Sequence, residues 1–178
     1  LKVIQTNDME LNNELSVQLQ QLLVASFPEI YPEDRMYFKQ VPHSRLLVMD
    51  AEHRLIGHVG LDYRTMNLNG TAIRVLGVID LCISVTHRSK GIASMLLGEV
   101  DKLSKQNVDF ILLFADHVNL YVRNGYQSVK NRCKWLKIDH TTLTTVGIGD
   151  QVMDGLMMKQ AGTVPWDEGE LDFIGYLY

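Results

Sequence analysis

A mixed α+β sheet of about six or seven strands flanked by helices, with one parallel crossover in its middle, is the fold that the sequence predicts. Three observations predict it. Strand-like runs crowd the first half, after a single helical stretch. The second half then alternates strand, helix, strand, helix, strand. Residues 110–115 form an unbroken apolar run of strand length, the pattern of a strand covered on both faces.

Each element has a local chemical reason. Residues 1–6 are a short apolar stretch that reads as an edge strand. Over residues 13–27, Leu15, Leu19, Leu22, Leu23 and Phe27 recur at helical spacing, with Asn12 or Asn13 as the cap. Residues 30–40 read as loop or short helix, broken by Pro28 and Pro32. Residues 45–50 read as a strand, Glu52-His53 as a turn, and residues 55–67 as a long strand. Asn69-Gly70 favours positive φ and predicts a tight hairpin to residues 73–85. Residues 91–106 form a helix with Ile92, Met95, Leu96, Val100 and Leu103 on one face. Residues 117–124 make a short helix ended by Gly125. Residues 126–138 and 151–159 read as strands, and residues 161–178 carry Pro165, Trp166 and four acids without a base.

Length and composition exclude several classes. A chain of 178 residues predicts one domain spanning 1–178. A hydrophobic fraction of 46% and a charged fraction of 21% are those of a globular protein. Seventeen bases against twenty-one acids leave a net charge of -4, which argues against nucleic acid as a partner. No apolar run approaches the ~20 residues that span a bilayer, so no membrane partner is expected. Two cysteines and no secretory leader pattern predict a cytoplasmic, reducing setting. None of the six histidines has zinc-motif spacing, so no metal is expected. A homodimer is left open.

The segment His87-Arg88-Ser89-Lys90-Gly91-Ile92-Ala93 joins the central strand to its helix. Backbone N–H groups at a helix start are unsatisfied and bind anions. Gly91 lets a phosphate approach, Ala93 and Ser94 keep the first turn thin, and Arg88 and Lys90 supply charge. The spacing is neither a Walker loop nor a dinucleotide fingerprint. The stretch Ile83 to Ala93 resembles the acyl-CoA motif of the GNAT acyltransferases, V-x-P-x-x-[RQ]-x-x-G-x-[GA], with Val85 in place of the proline. Leu120-Tyr121-Val122-Arg123-Asn124-Gly125-Tyr126 resembles the family's second signature, L-Y-x-[KRS]-x-G-[FY], at fitting distance. The loop Asp116-His117-Val118-Asn119 is shorter than in many members.

The resemblance implies a GNAT fold whose sheet splays at the acyl-CoA site, with acetyl-CoA as co-substrate. Leu81, Cys82, Ile83 and Val85 would face pantetheine with their backbone, and Arg88, Ser89, Lys90, Gly91, Ile92, Ala93 and Ser94 would hold the pyrophosphate. Within the family the chain is similar to the aminoglycoside 2′-N-acetyltransferases and the nodulation N-acyltransferases. The points of likeness are the hairpin, the acid in Ile79-Asp80-Leu81 and the tail Trp166-Asp167-Glu168-Gly169-Glu170-Leu171-Asp172.

Acyl transfer to an amine needs a neutral amine, a stabilised oxyanion and a protonated leaving thiolate. The resemblance puts Tyr121 at the thiolate as acid; a core aromatic is the structural alternative. Asp80 lies in an otherwise apolar strand, where burial raises a carboxyl pKa toward that of a base; the alternative is an Asp that anchors a loop. Strict alternation puts residues 80, 82 and 84 on one face. Cys82 has no His beside it, so direct transfer in a ternary complex is expected over a covalent intermediate. The tail acids are either solvated or a pocket for a cation. By family analogy the acceptor side draws on Glu29, Asp34, Trp166, Asp167 and Asp172, with the Tyr178 carboxylate near the amine. The expected activity is acetyl transfer to a small-molecule primary amine, such as an amino sugar or an aminoglycoside-like cation. Rival expectations are a longer-chain acyltransferase of the nodulation type and an idle acyl-CoA sensor.

Overall fold

In the computed structural model, which describes residues 1–178, β1 (Lys2–Thr6) pairs antiparallel with β2 (Ser44–Met49). Between them in sequence runs α1 (Asn13–Ser26). Asn12 caps it, its side-chain oxygen accepting from the Leu15 N–H at 2.8 Å. The helix ends where Phe27 N–H closes on the Leu23 carbonyl, just before Pro28. Strand β2 pairs in turn with the first part of β3 (Leu55–Leu68), and Asn69 and Gly70, at φ 50° and 89°, turn the chain into β4 (Thr71–Ile83). The hairpin is the one that Asn-Gly predicts.

The chain divides into two compact units that both draw on this hairpin. The first comprises Leu1–Asp62 and Val78–Glu99. Its core is a cluster of Leu19, Leu22 and Leu23 from α1 with Tyr31, Leu47, Met49, Leu55 and Cys82. Each large apolar side chain taken from water there contributes about 1.5–3 kcal/mol.

The second unit comprises Tyr63–Gly77 and Val100–Tyr178. It receives the C-terminal part of α2 (Ile92–Ser104), and its further elements are β5 (Phe110–Phe114), α3 (Val118–Arg123), β6 (Gln127–Ser128), β7 (Arg132–Asp139), β8 (Thr144–Val152), β9 (Leu156–Gln160) and β10 (Glu170–Tyr176). The strand order is β6-β9-β5-β4-β3-β10-β7-β8. Val75, Leu76 and Gly77 of β4 pair in parallel with Phe110, Ile111 and Leu112, which is the crossover through α2 that the sequence predicts. Phe110, Leu112, Leu171 and Phe173 are at the heart of its core.

The sheet has ten strands, more than the six or seven expected. The stretch 126–138 is not one strand: Asn131, fully buried, donates from its side chain to the Asp167 carbonyl at 3.1 Å and breaks the run into β6 and β7. Residues 144–152 pair with β7 ahead of a turn at Gly155, whose φ of 77° starts β9. The acidic tail supplies the tenth strand, pairing with β7 in parallel and with β3. No helix is long and apolar enough to cross a membrane.

Candidate active site

The site in the first unit is built on a fault in β4. Asp80 sits in mid-strand at φ +51°. A left-handed residue inside a strand breaks the two-residue alternation, so the expectation of one shared face for residues 80, 82 and 84 does not hold as regular pleating. The neighbours show the flip. A Cβ on Gly60 would lie 2.7 Å from Ile79, and one on Gly57 would lie 2.9 Å from Ile83. Those glycines are three apart on β3 and so face opposite ways, which puts Ile79 and Ile83 on opposite faces.

Two contacts hold the turned residue, and a third braces one of them. The Tyr31 hydroxyl donates to Asp80 Oδ2 at 3.2 Å. His58 Nδ1 lies 2.9 Å from the Asp80 carbonyl, and His58 Nε2 lies 3.0 Å from Arg45 Nη1. Arg45 has only donors, so it donates to Nε2; the imidazole proton is therefore on Nδ1 and is given to the Asp80 carbonyl. Arg45 also grips Asp8 through Nε at 2.6 Å and Nη2 at 2.9 Å, and donates to the Met36 carbonyl at 2.7 Å. Both Arg45 and His58 are 0% exposed.

That burial sets the electrostatics. Desolvation pushes the Asp80 carboxyl above the usual carboxylate range, opposed by the Tyr31 hydrogen bond and by the positive charges of Arg45 and Lys39. Burial and the nearby Asp80 both raise the Tyr31 phenol, so it stays a donor. Burial, and then Arg45, push His58 down to about 3, so it is neutral at physiological pH. Desolvation lowers the Lys39 ammonium, with Asp80 pulling the other way. The result is a carboxyl group poised to accept a proton nearer neutrality than a solvated Asp can. Cys82 is buried and its thiol is pushed up to about 12, which leaves no thiolate to act as a nucleophile.

The loop after β4 leaves backbone amides open at a helix start. Val85–His87 forms a 3-10 turn, with Ser84 Oγ and Thr86 Oγ1 at 2.9 Å and 3.0 Å from His87 Nδ1. Ser89 and Gly91 take φ values of 61° and 77°. Such left-handed steps turn successive amides to one side. Met95 N–H bonds the Gly91 carbonyl at 3.0 Å, so the amides before it have no carbonyl of the helix to reach. The first turn of α2 has no acid to compete for them. Arg88, Ser89, Lys90 and Gly91 are all exposed, and nothing lies within 4 Å of a Cβ placed on Gly91. Arg88 Nε donates to the Ile83 carbonyl at 3.2 Å, which ties the guanidinium to the end of β4.

The remaining residues of interest are in the second unit, apart from Glu29 and Asp34. Tyr121 is half-buried on α3, with Tyr126 edge-on at 5.9 Å between ring centroids. Burial, and then Asp116, raise its phenol, so it remains protonated. The turn beyond it is held by Lys159, which donates to the Asn124 carbonyl at 2.7 Å and to Asp101 at 2.6 Å. Trp166 packs edge-on against Phe110 at 4.9 Å, in the core. Asp167 gives its carbonyl to Asn131, and Asp172 pairs with Lys134 at 3.4 Å and accepts from the Ile174 N–H. The Tyr178 ring lies over Gly77 and against Phe173. Glu29 and Asp34 are exposed on the loop after α1, and Asp34 is 3.4 Å from Arg35. Sequence reasoning did not single out Tyr31, Arg45 or His58. A basic residue at the mouth of β2 and a histidine inside the apolar run of β3 were the visible signals for two of them; Tyr31, in an irregular loop, left none.

The family model described as the acetyltransferase (GNAT) domain matches residues 10–129, more than half of the chain. No protein of curated function matches the sequence. Among solved structures, the chain is similar to YhbS of Escherichia coli, a GNAT-family N-acetyltransferase in complex with CoA, with a TM-score of 0.64 and 17% identity over 97% of this chain and 89% of that one. It is also similar to an aminoglycoside 6'-N-acetyltransferase complexed with coenzyme A, with a TM-score of 0.61 and 16% identity over 91% and 99%. A GNAT acetyltransferase of Brucella melitensis in complex with acetyl-CoA has a TM-score of 0.61 at 10% identity over 96% and 94%. The chain spans only about a third of the length of two further matches, from Anabaena variabilis and Enterococcus faecalis. At these identities the structures establish the fold, and the family match goes further: the chain belongs to the GNAT acetyltransferase family.

Proposed function

We propose that the protein transfers an acetyl group from acetyl-CoA directly to the primary amine of a small acceptor, of the amino-sugar or aminoglycoside-like class. The observation that carries this is the half-buried Asp80 carboxyl, turned out of the strand pattern by a left-handed backbone and held by Tyr31. A carboxyl whose pKa is raised by burial takes the proton that an acceptor ammonium must lose before its lone pair can attack. The amides that come after the 3-10 turn, with Arg88 and Lys90 beside them, suit the pyrophosphate of CoA. Leu81, Cys82, Ile83 and Val85 present the backbone to pantetheine, as the family resemblance implies. Tyr121, a protonated phenol, gives a proton or hydrogen bond to the departing thiolate.

The acceptor class is supported by the exposed acids Glu29 and Asp34 on the loop that carries Tyr31, which attract a cation. Trp166, Asp167, Asp172 and Tyr178 support it less, because each has a structural partner in the second unit. The test is thiol release from acetyl-CoA against a panel of amino sugars, aminoglycosides, polyamines and aryl amines. Turnover with amino sugars above the others supports the proposal, and turnover with none of the panel overturns it. Mass spectrometry of co-purified ligand distinguishes acetyl-CoA from a longer-chain donor.

A further inference from the structure

We infer that Arg45 and His58 are positioning residues: a buried clamp that keeps Asp80 in its left-handed turn and ties that turn to the loop carrying Tyr31. A non-glycine residue with positive φ inside a strand persists only where its surroundings over-determine it. Here two hydrogen bonds do so. The Asp80 carbonyl, turned toward β3, receives the Nδ1 proton of His58 at 2.9 Å, and the Asp80 carboxylate receives the Tyr31 hydroxyl at 3.2 Å. His58 can give that proton only as the Nδ1 tautomer, and the Arg45 donor at Nε2 imposes it. Arg45 is fixed in turn by both oxygens of Asp8 and by the Met36 carbonyl. Met36 lies five residues after Tyr31, on the same irregular loop. One guanidinium thus connects the first turn after β1, the loop and, through His58, the left-handed turn at Asp80.

An apolar filler would serve the core of β2 and β3 without these bonds. The polar chain instead gives the carbonyl of the turned residue a buried donor. Its effect on the reaction rests on the proposed role of Asp80, because it acts by aiming that carboxylate.

Crystal structures and steady-state kinetics of His58→Asn and His58→Leu test the clamp. The Asn amide nitrogen falls where Nδ1 lies and keeps the donor; Leu removes it. In the Leu variant Asp80 is expected to relax to negative φ and leave Tyr31. Its kcat is expected to fall on the order of 10²-fold, the cost of a small misplacement of a reacting group, with little change in KM for acetyl-CoA. The Asn variant is expected to keep the turn and recover most of the turnover, which a purely space-filling role does not predict. A Leu variant that retains positive φ at Asp80 and its bond to Tyr31 overturns the clamp. A relaxed Asp80 with unchanged kcat supports the clamp and removes the proposed role of Asp80 instead. Should the Leu variant not fold, His58→Gln, with an acceptor for Arg45 but no donor at the Nδ1 position, replaces it with the same outcomes.

Discussion

Asp80 carries opposing demands on stability and chemistry. Its folded pKa is raised by burial, so near neutral pH the native state holds a carboxylate in poor solvent. By linkage, stability is lost as pH rises through the folded value, because the folded chain binds the proton more tightly than the unfolded one. Asp80→Asn keeps the hydrogen-bonding shape, and Asn tolerates positive φ. The variant is expected to melt at a higher temperature than the native protein at pH 7 to 8. The gain should shrink as pH falls toward the ordinary carboxylate range, while turnover drops on the order of 10²–10⁴-fold, the usual loss of an acid–base group. Calorimetric melts across pH, with initial rates, check both; an unchanged rate rules out Asp80 as the base. His58 has the reverse sign of pH dependence. Its folded value of about 3 lies below the ordinary 6.5, so the unfolded chain binds the extra proton between them, and stability falls as pH drops through that window. One such proton gives a slope of up to ~1.4 kcal/mol per pH unit. Urea melts of His58→Asn should show a shallower fall between pH 6.5 and 4 than the native chain. Tyr121→Phe keeps the ring against Tyr126 and removes only the hydroxyl. Turnover on the order of 10²-fold lower with unchanged acetyl-CoA binding by calorimetry is expected; native turnover returns Tyr121 to a packing role.

Two turns, at Gly70 and at Gly125 of the second family signature, were legible for a physical reason. A tight Asn-Gly turn and a glycine after a short helix are demands of backbone geometry, so Gly70 and Gly125 mark their turns in the sequence as they do in the structure, at φ 89° and 86°. Gly91 is the same kind of residue in a more open place. A Cβ there meets no protein atom within 4 Å, so the φ of 77° and whatever occupies the open side decide the outcome, not crowding. Gly91→Ala is expected to cost roughly 1–2 kcal/mol of stability through the left-handed backbone, and to weaken acetyl-CoA binding measurably by calorimetry. Equal affinity in a folded variant would remove the phosphate role of the loop. The resemblance implied a splayed sheet just after Asp80, but the left-handed turn at Asp80 itself was not legible, because alternation of residue types shows which face is apolar and not where the backbone turns over. The strand from the tail was hidden for a different reason. Glu170 to Tyr176 has a partner on each side that is distant in sequence, β3 and β7, and four acids nearby disguise the buried Leu171 and Phe173. Truncation before Glu170 is therefore expected to unfold the second unit, seen as loss of a cooperative melt, before it affects any acceptor.

At the scale of the whole molecule, the hairpin β3-β4 and the crossover β4-α2-β5 were readable from turn chemistry and periodicity, while the sheet order beyond them was not, and the matched residues 10–129 place the chain in its family. The acceptor was not readable, because it is set by irregular loops whose side chains have no period; Tyr31 met the sequence only as an aromatic between two prolines. The most direct measurement is the initial rate of CoA release from acetyl-CoA as both acetyl-CoA and an amino-sugar acceptor are varied. Direct transfer predicts amine-dependent release, with double-reciprocal lines that intersect, and loss of most of that release in Tyr121→Phe. Parallel lines would show a covalent acetyl-enzyme, and bound acetyl-CoA with no amine-dependent release would make the chain a binding protein; either result contradicts acetyl transfer in a ternary complex.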